Sequence, residues 1–249
     1  MTEVRFLSAG EQGLVIEFGS TIDFGINSRV HQTAQLLKEK LTCEIIEVVP
    51  TYRSLMVYFN PLYIKRQDLI RKVKELLIIV DTEGKEQGNG KAVAIPVCYG
   101  GEYGPDIAFV AQHNGLSEEE VIQIHTSIPY PVYMLGFIPG FPYLGGMSER
   151  IATPRLEKPR TKIPAGSVGI AGSQTGLYPI ESPGGWQLIG RTPVKAFNLD
   201  SAKPFLFEAG DYLRFVAVSP EEYEQIQAEV EAGRYVPATG RLIGGVVAR

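Results

Sequence analysis

The chain is poor in cysteine, in histidine and in uninterrupted apolar sequence, and each shortage removes a class of function. Its 2 cysteines, Cys43 and Cys98, lie in or beside β-type runs and read as two buried thiols rather than a disulfide or a metal pair. No ligand cluster has zinc spacing, so no metal is expected. The longest purely aliphatic run, residues 76–80, falls far short of the roughly 20 residues that span a bilayer, which excludes a membrane helix. The opening MTEVRFLSAGEQG has neither a basic segment leading into an apolar one nor a cleavage signature, so a cytoplasmic location is expected. Positive charge is not in excess either. Lys plus Arg is 24 against 28 for Asp plus Glu, a net −4, which argues against general nucleic-acid binding.

What is present is an ordinary globular composition. Hydrophobic residues make up 44% of 249 residues and mean hydropathy is near zero, enough for one large core or two domains of about 100 residues each. Residues 5–9 and 13–18 read as short strands joined by a turn, followed by a helix over 27–41 in which Val30, Ala34, Leu37 and Leu41 recur at helical spacing. CEIIEVVP and SLMVYFNP are β-rich, and KRQDLIRKVKELL is a second amphipathic helix. The order is ββαββα, a small α+β domain. His31 falls on the polar side of its helix.

TEGKEQGNGK is charged, glycine-rich and free of aromatics, as linkers are. The expected division is therefore 1–84 for the first domain, 85–91 for the linker, 92–219 for a second domain and 220–249 for a C-terminal helix and tail. AVAIPVCYGG opens the second domain as a strand. PDIAFVAQHNG is a short helix closed by Gly115, and LSEEEVIQIHT is another, with Ser117 and Glu120 as a capping box and His125 on its inward side. From 136 to 193 the texture changes to 11 Gly and 8 Pro in 58 residues, with β-type pieces SVGIAG, LYPI and WQLIGRT. Such density forbids long helices and favours a β-barrel or sandwich. YLRFVAVS adds a strand, and PEEYEQIQAEVEAG a helix with Pro220 in its first turn. The tail RYVPATGRLIGGVVAR has no evident place.

The chemical motifs are incomplete. PAGSVG has Ala165 where a nucleophile elbow before Ser167 needs glycine. GIAGSQTG lacks the Lys-Ser/Thr ending of a phosphate loop and reads as a hairpin turn. Six basic residues against three acidic ones give 136–193 a local +3, which favours an anionic ligand. In TPRLEKPRTKIPAGS, Arg155, Arg160 and Lys162 stand between prolines, suited to a carboxylate or phosphate or simply to a solvated loop. Tyr178 and Trp186, the latter directly behind Pro183-Gly184-Gly185, are either pocket walls or core.

YPVYMLGFIPGFPYLGG, TPRLEKPRTKIPAGSVGIAGSQTGLYPIESPGGWQLIGRT, YGGEYGPD and GLSEEEVIQIHT resemble the family of the 5-oxoprolinase B subunit, also called allophanate hydrolase subunit 1, which includes the sporulation-kinase inhibitor KipI. The resemblance implies a small α+β domain followed by a cyclophilin-like β-barrel. It further implies a subunit, inactive alone, of an ATP-dependent 5-oxoprolinase that acts with a C subunit and an A subunit. ATP would be a co-substrate of the assembled complex, with no tightly bound cofactor. The alternative it implies is a binding module that inhibits a sensor histidine kinase. Segments 136–143, 154–162, 166–178 and 183–186 would form the pocket, with Arg155, Arg160, Lys162, Gln174, Tyr178 and Trp186 as substrate-binding residues, Trp186 closing one side of a rim turned by Gly184 and Gly185. No catalytic residue is assigned.

Overall fold

The computed structural model describes residues 4–82, 90–243 and 246–248, with side chains described through 240. The chain divides into two compact units, Met1–Gly88 and Asn89–Arg249. Of the linker expected at 85–91, residues 85–89 lie outside the described residues, whereas Lys91 already belongs to a strand.

The first unit is a four-stranded antiparallel sheet backed by two helices. Strands β1 (Arg5–Ala9), β2 (Gly13–Glu17), β3 (Ile45–Pro50) and β4 (Ser54–Phe59) lie in the order β1-β2-β4-β3. Alternation along β2 and β4 buries Leu14, Ile16, Leu55, Val57 and Phe59. Against them pack Val30 and Leu37 from α1 (Phe24–Lys40) and Leu69 and Val73 from α2 (Arg66–Thr82). Helix α1 begins three residues before the expected position. Asp23 is its N-cap, accepting from Ile26 N at 3.0 Å. Asn27 is buried inside the first turn and donates to Thr51 O at 3.0 Å and Tyr52 O at 3.1 Å. Cys43 is exposed, a correction to the buried thiol expected there; it sits in the turn before β3, not in the strand.

The second unit is a strongly curved sheet whose ends approach each other. It is built from β5 (Lys91–Tyr99), β6 (Tyr130–Leu135), β7 (Pro142–Leu144), β9 (Ser167–Ala171), β10 (Gln174–Leu177), β12 (Gln187–Arg191) and β13 (Tyr212–Ala217). The order is β10-β9-β12-β5-β13-β6-β7, and β7 lies against β10, so the sheet nearly closes into a barrel. A two-stranded ribbon, β8 (Arg160–Ile163) with β11 (Ser182–Gly184), stands beside it. The expected α+β class, with a barrel as the second domain, is what the chain forms.

Helix α3 (Ile107–Asn114) ends on left-handed Gly115, and α4 (Glu118–Thr126) starts with the Ser117–Glu120 capping box. Both cover the barrel core of Val93, Ile95, Val97, Tyr130, Phe207 and Phe215. Helix α5 (Pro220–Glu231) opens with a second capping box, Ser219 with Glu222. LYPI is not a strand. The strand is QTGL, which forms a hairpin with β9 across Gly172, whose φ of 58° suits the tight turn. The tail also has a place. β14 (Thr239–Ile243) pairs antiparallel with the start of β5 and with β15 (Val246–Ala248), on the side of β5 that pairs with β12 at its other end.

Candidate active site

The ribbon and the last barrel strands hold a small second core: Phe141, Ile163, Ala171, Tyr178, Trp186 and Leu188. Three of its rings meet edge to face. Phe141 lies 5.4 Å from Tyr178 and 5.7 Å from Trp186, and Tyr178 lies 6.1 Å from Trp186, with interplanar angles of 75°, 88° and 80°. This is the arrangement that ring quadrupoles favour. The Trp186 indole is 7% exposed, so it packs inside this cluster.

Which glycines make room is specific. A methyl on Gly176 would come within 3.1 Å of the indole and 3.2 Å of Phe141, so the bare backbone of β10 is the floor on which Trp186 lies. A methyl on Gly184 would stand 2.5 Å from the Tyr178 hydroxyl and 2.8 Å from Ile163. Gly184 therefore serves Tyr178. Gly185 meets only ordinary contacts, at 3.6 Å and beyond.

The cations of the proline-framed loop have separate positions. Arg160, in β8, is ion-paired to Asp106 at 2.8 Å and donates to Trp186 O at 3.4 Å. Asp106 precedes α3 but does not cap it with its side chain. Its other carboxylate oxygen accepts from Leu188 N at 2.6 Å, so Asp106 ties the loop to β12. Sequence reasoning missed this residue, because its partners Arg160 and Leu188 lie 54 and 82 residues further along the chain. Lys162 pairs with Glu181 at 3.0 Å, both side chains exposed, a contact of little energetic weight. Arg155 is exposed. Gln174 is half-buried at the start of β10, and Thr175 beside it points into the barrel.

Burial pushes the Tyr178 phenol up to about 12, while Arg155 and then Arg160 favour its ionised form and oppose the shift. Tyr178 is therefore a neutral hydroxyl at pH 7, close to one exposed and one ion-paired guanidinium. That set can bind an anion through a charged fork and a phenolic donor. It offers no base to activate a nucleophile. Ser167, at the start of β9, is fully buried and its Oγ meets no hydrogen-bond partner, so it is not an activated serine.

His125 is a core residue, with no exposure. Thr175 Oγ1 donates its single proton to Gly169 O at 3.0 Å, so towards His125 Nε2 at 2.7 Å it accepts. Nε2 then carries the imidazole proton, and Nδ1 accepts from Tyr99 Oη at 2.7 Å. Burial lowers the imidazole pKa to about 3, so His125 is neutral and structural. Among the described residues no group of three His, Cys, Asp or Glu side chains is placed to hold a metal ion. Nor, among them, is any helix long and apolar enough to cross a membrane. An open groove of about 670 Å³ in the first unit, between β1 and α2, carries only Arg5 and Lys74 as charged lining. Arg5 is already paired with Glu17, which leaves the groove with Lys74 alone, whereas the aromatic cluster has the Tyr178 hydroxyl close to Arg155 and Arg160, so for an anionic ligand the chemistry favours the cluster.

Comparison with known families places this chain among carboxyltransferase domains. Residues 4–207 match the family model for the carboxyltransferase domain, subdomain C and D. The chain is 46% identical over 230 residues to the 5-oxoprolinase B subunit of Bacillus subtilis (strain 168), covering 88% of this chain and 95% of that protein. It is 39% identical over 216 residues to the 5-oxoprolinase B subunit of Escherichia coli O157:H7, covering 87% and 97%. The chain belongs to the family of 5-oxoprolinase B subunits. Among solved structures, the conserved uncharacterized protein PH0987 of Pyrococcus horikoshii is 49% identical, with 88% of this chain and all of that chain covered and a TM-score of 0.53. TTHA0988 is 35% identical with a TM-score of 0.75, but the match covers 84% of this chain and only 40% of that one.

Proposed function

We propose that this chain is the B component of an ATP-dependent 5-oxoprolinase, which with a C subunit and an A subunit converts 5-oxoproline, ATP and water to glutamate, ADP and phosphate. The observation that carries the reading is near full-length similarity, 39–46% identity, to proteins named as the B subunit of 5-oxoprolinase. The site agrees with it. 5-Oxoproline has a carboxylate, and ATP-driven opening of its ring passes through phosphorylated, anionic species. Arg155 holds the anionic end of the substrate or of such an intermediate, and Tyr178 donates to it from the floor. Arg160 and Asp106 fix the loop and β12, Trp186 and Phe141 fix the Tyr178 ring, and Lys162 and Gln174 edge the site. Neither a nucleophile nor a general base accompanies these residues, so the chain alone is inactive and ATP is a co-substrate of the assembly.

The test is phosphate release that depends on 5-oxoproline, measured with purified subunits. The complete mixture should release phosphate only when 5-oxoproline is added, and omitting this chain should abolish the dependence. Substrate-dependent release that persists without this chain contradicts the proposal.

A further inference from the structure

At the border of the aromatic cluster one residue is held in a costly conformation. Ile138 N donates to Gly136 O at 2.8 Å, which makes 136–138 a γ-turn, and the residue at its centre, Phe137, has a φ of 67°. The γ-turn of positive φ is the rare, strained form, and Phe137 is, among the described residues, the one non-glycine residue with positive φ. Glycine would make this turn without penalty. The chain instead has a phenylalanine there, with glycines nearby at 136 and 140. Strain of this kind persists only where the surroundings over-determine it, and it concentrates at functional segments.

The surroundings fix the loop and leave its ring free. Gly136 N donates to Phe141 O and Phe141 N to Ile138 O, both at 3.1 Å. Ile138 packs on the second core, and Phe141 belongs to it. At Gly140 a methyl would stand 2.9 Å from Phe197 Cβ and 3.5 Å from Pro179 Cβ, so the foot of the loop is seated on the residue that follows Tyr178. The Phe137 ring is 66% exposed and meets the cluster edge-on at Phe141, 5.9 Å between centroids. Phe141 in turn faces both Tyr178 and Trp186. An exposed ring of this kind turns about its side-chain bonds in picoseconds to nanoseconds while the backbone stays in place.

We propose that Phe137 is the cover of the anion site: with ligand bound, its ring turns over the Tyr178 hydroxyl and Arg155 and keeps bulk water from the phosphorylated species; this rests on the 5-oxoprolinase reading above. The need for a cover follows from the chemistry of that species. Arg155 is exposed, so an anion that it holds faces solvent. If water attacks the phosphorus, the bond from phosphorus to the substrate oxygen breaks, the water oxygen stays on phosphorus, and 5-oxoproline and phosphate leave with no glutamate formed. Ring opening consumes a single water at carbon, so the site has use for one water and none for bulk solvent. Excluding that solvent suppresses the side reaction and strengthens the Arg155 contact by lowering the local dielectric. Among the described residues, Phe137 is the exposed aromatic whose ring touches the cluster.

The experiment measures phosphate and glutamate released together by the complete mixture of subunits, using wild type, Phe137→Gly and Phe137→Leu, with a melting curve for each chain and size-exclusion chromatography of each assembly. Phe137→Gly removes the ring and relieves the strained φ, so its melting temperature should equal or exceed that of wild type. Its ratio of phosphate to glutamate should nonetheless rise at least about twofold, as water reaches the phosphorylated species. Phe137→Leu keeps the apolar bulk, and its ratio should stay closer to that of wild type. If the complete wild-type mixture releases phosphate in response to 5-oxoproline and the glycine variant has the wild-type ratio, the cover is refuted and the 5-oxoprolinase reading stands. If wild type shows no such release, the reading and this inference both fall. If Phe137→Gly no longer elutes with the other subunits, the ring is an assembly contact and its role as a cover is wrong.

Discussion

Gly184→Ala tests the packing logic of the site with a single methyl. Gly184 does not have a positive φ, so alanine brings no backbone strain and should by itself stabilise by about 0.4–1 kcal/mol through the unfolded state. Opposing this, the new Cβ stands 2.5 Å from the Tyr178 hydroxyl, 2.8 Å from Ile163 Cδ1 and 3.1 Å from Tyr178 Cζ. Tyr178 cannot swing aside freely, because Phe141 and Trp186 face its ring. Overpacking of this kind costs about 1–3 kcal/mol, and two contacts under 3 Å place it in the upper half of that range, so the net effect is a destabilisation of about 1–2.5 kcal/mol. The assay is urea unfolding followed by the emission of the single tryptophan, which lies in the same cluster. Tyr178→Phe removes the hydroxyl that the methyl would meet at 2.5 Å, so the double variant should recover part of the loss, with a coupling above about 0.5 kcal/mol. A neutral or stabilising Gly184→Ala, or no recovery in the double variant, refutes the reasoning.

Three further outcomes follow from the same geometry. Arg155→Ala should weaken the complex's apparent affinity for 5-oxoproline about 10- to 100-fold, the loss of one charge-assisted contact, with unfolding unchanged because the side chain is exposed. Arg160→Ala should instead lower stability, by about 1–3 kcal/mol, because Asp106 loses its ion-pair partner; similar unfolding curves for the two variants would contradict the division of roles. Burial lowers the His125 pKa from 6.5 to about 3, so between those pH values the unfolded chain binds a proton that the folded one does not. Stability should be flat above about pH 6.5 and fall as pH drops towards 3, by of order 1 kcal/mol per pH unit from this group. His125→Asn should reduce the slope in that window, and an unaltered slope in urea titrations across it would remove His125 as the cause.

Local signals are legible in this sequence and distant pairings are not. The Ser117–Glu120 box, the αL Gly115 and the β9–β10 hairpin are each fixed by neighbours a few residues away, and each stands where the sequence puts it. The start of α1 is missed because the apolar spacing begins only at Val30, while the cap is Asp23, before the periodic residues, and the buried Asn27 amide reaches the backbone at 51–52. The tail has no strand signal of its own, broken as it is by glycines. It becomes strand by completing β5, a partner from the far end of the unit. Charge and proline framing single out Arg155, Arg160 and Lys162 together. Their different roles depend on Asp106, 54 residues before Arg160, and on Glu181, neither of which charge counting relates to the loop. The glycines around the only tryptophan also act non-locally: Gly184 makes room for Tyr178, and Gly176 on another strand makes room for Trp186.

The most direct test of the account is glutamate formation from 5-oxoproline and ATP with purified subunits, measured for the complete mixture, for the mixture lacking this chain, and for this chain alone. The account predicts glutamate only from the complete mixture, with none from the chain by itself. Turnover by the chain alone, or an undiminished rate without it, would contradict the claim that this protein is an obligatory and non-autonomous subunit.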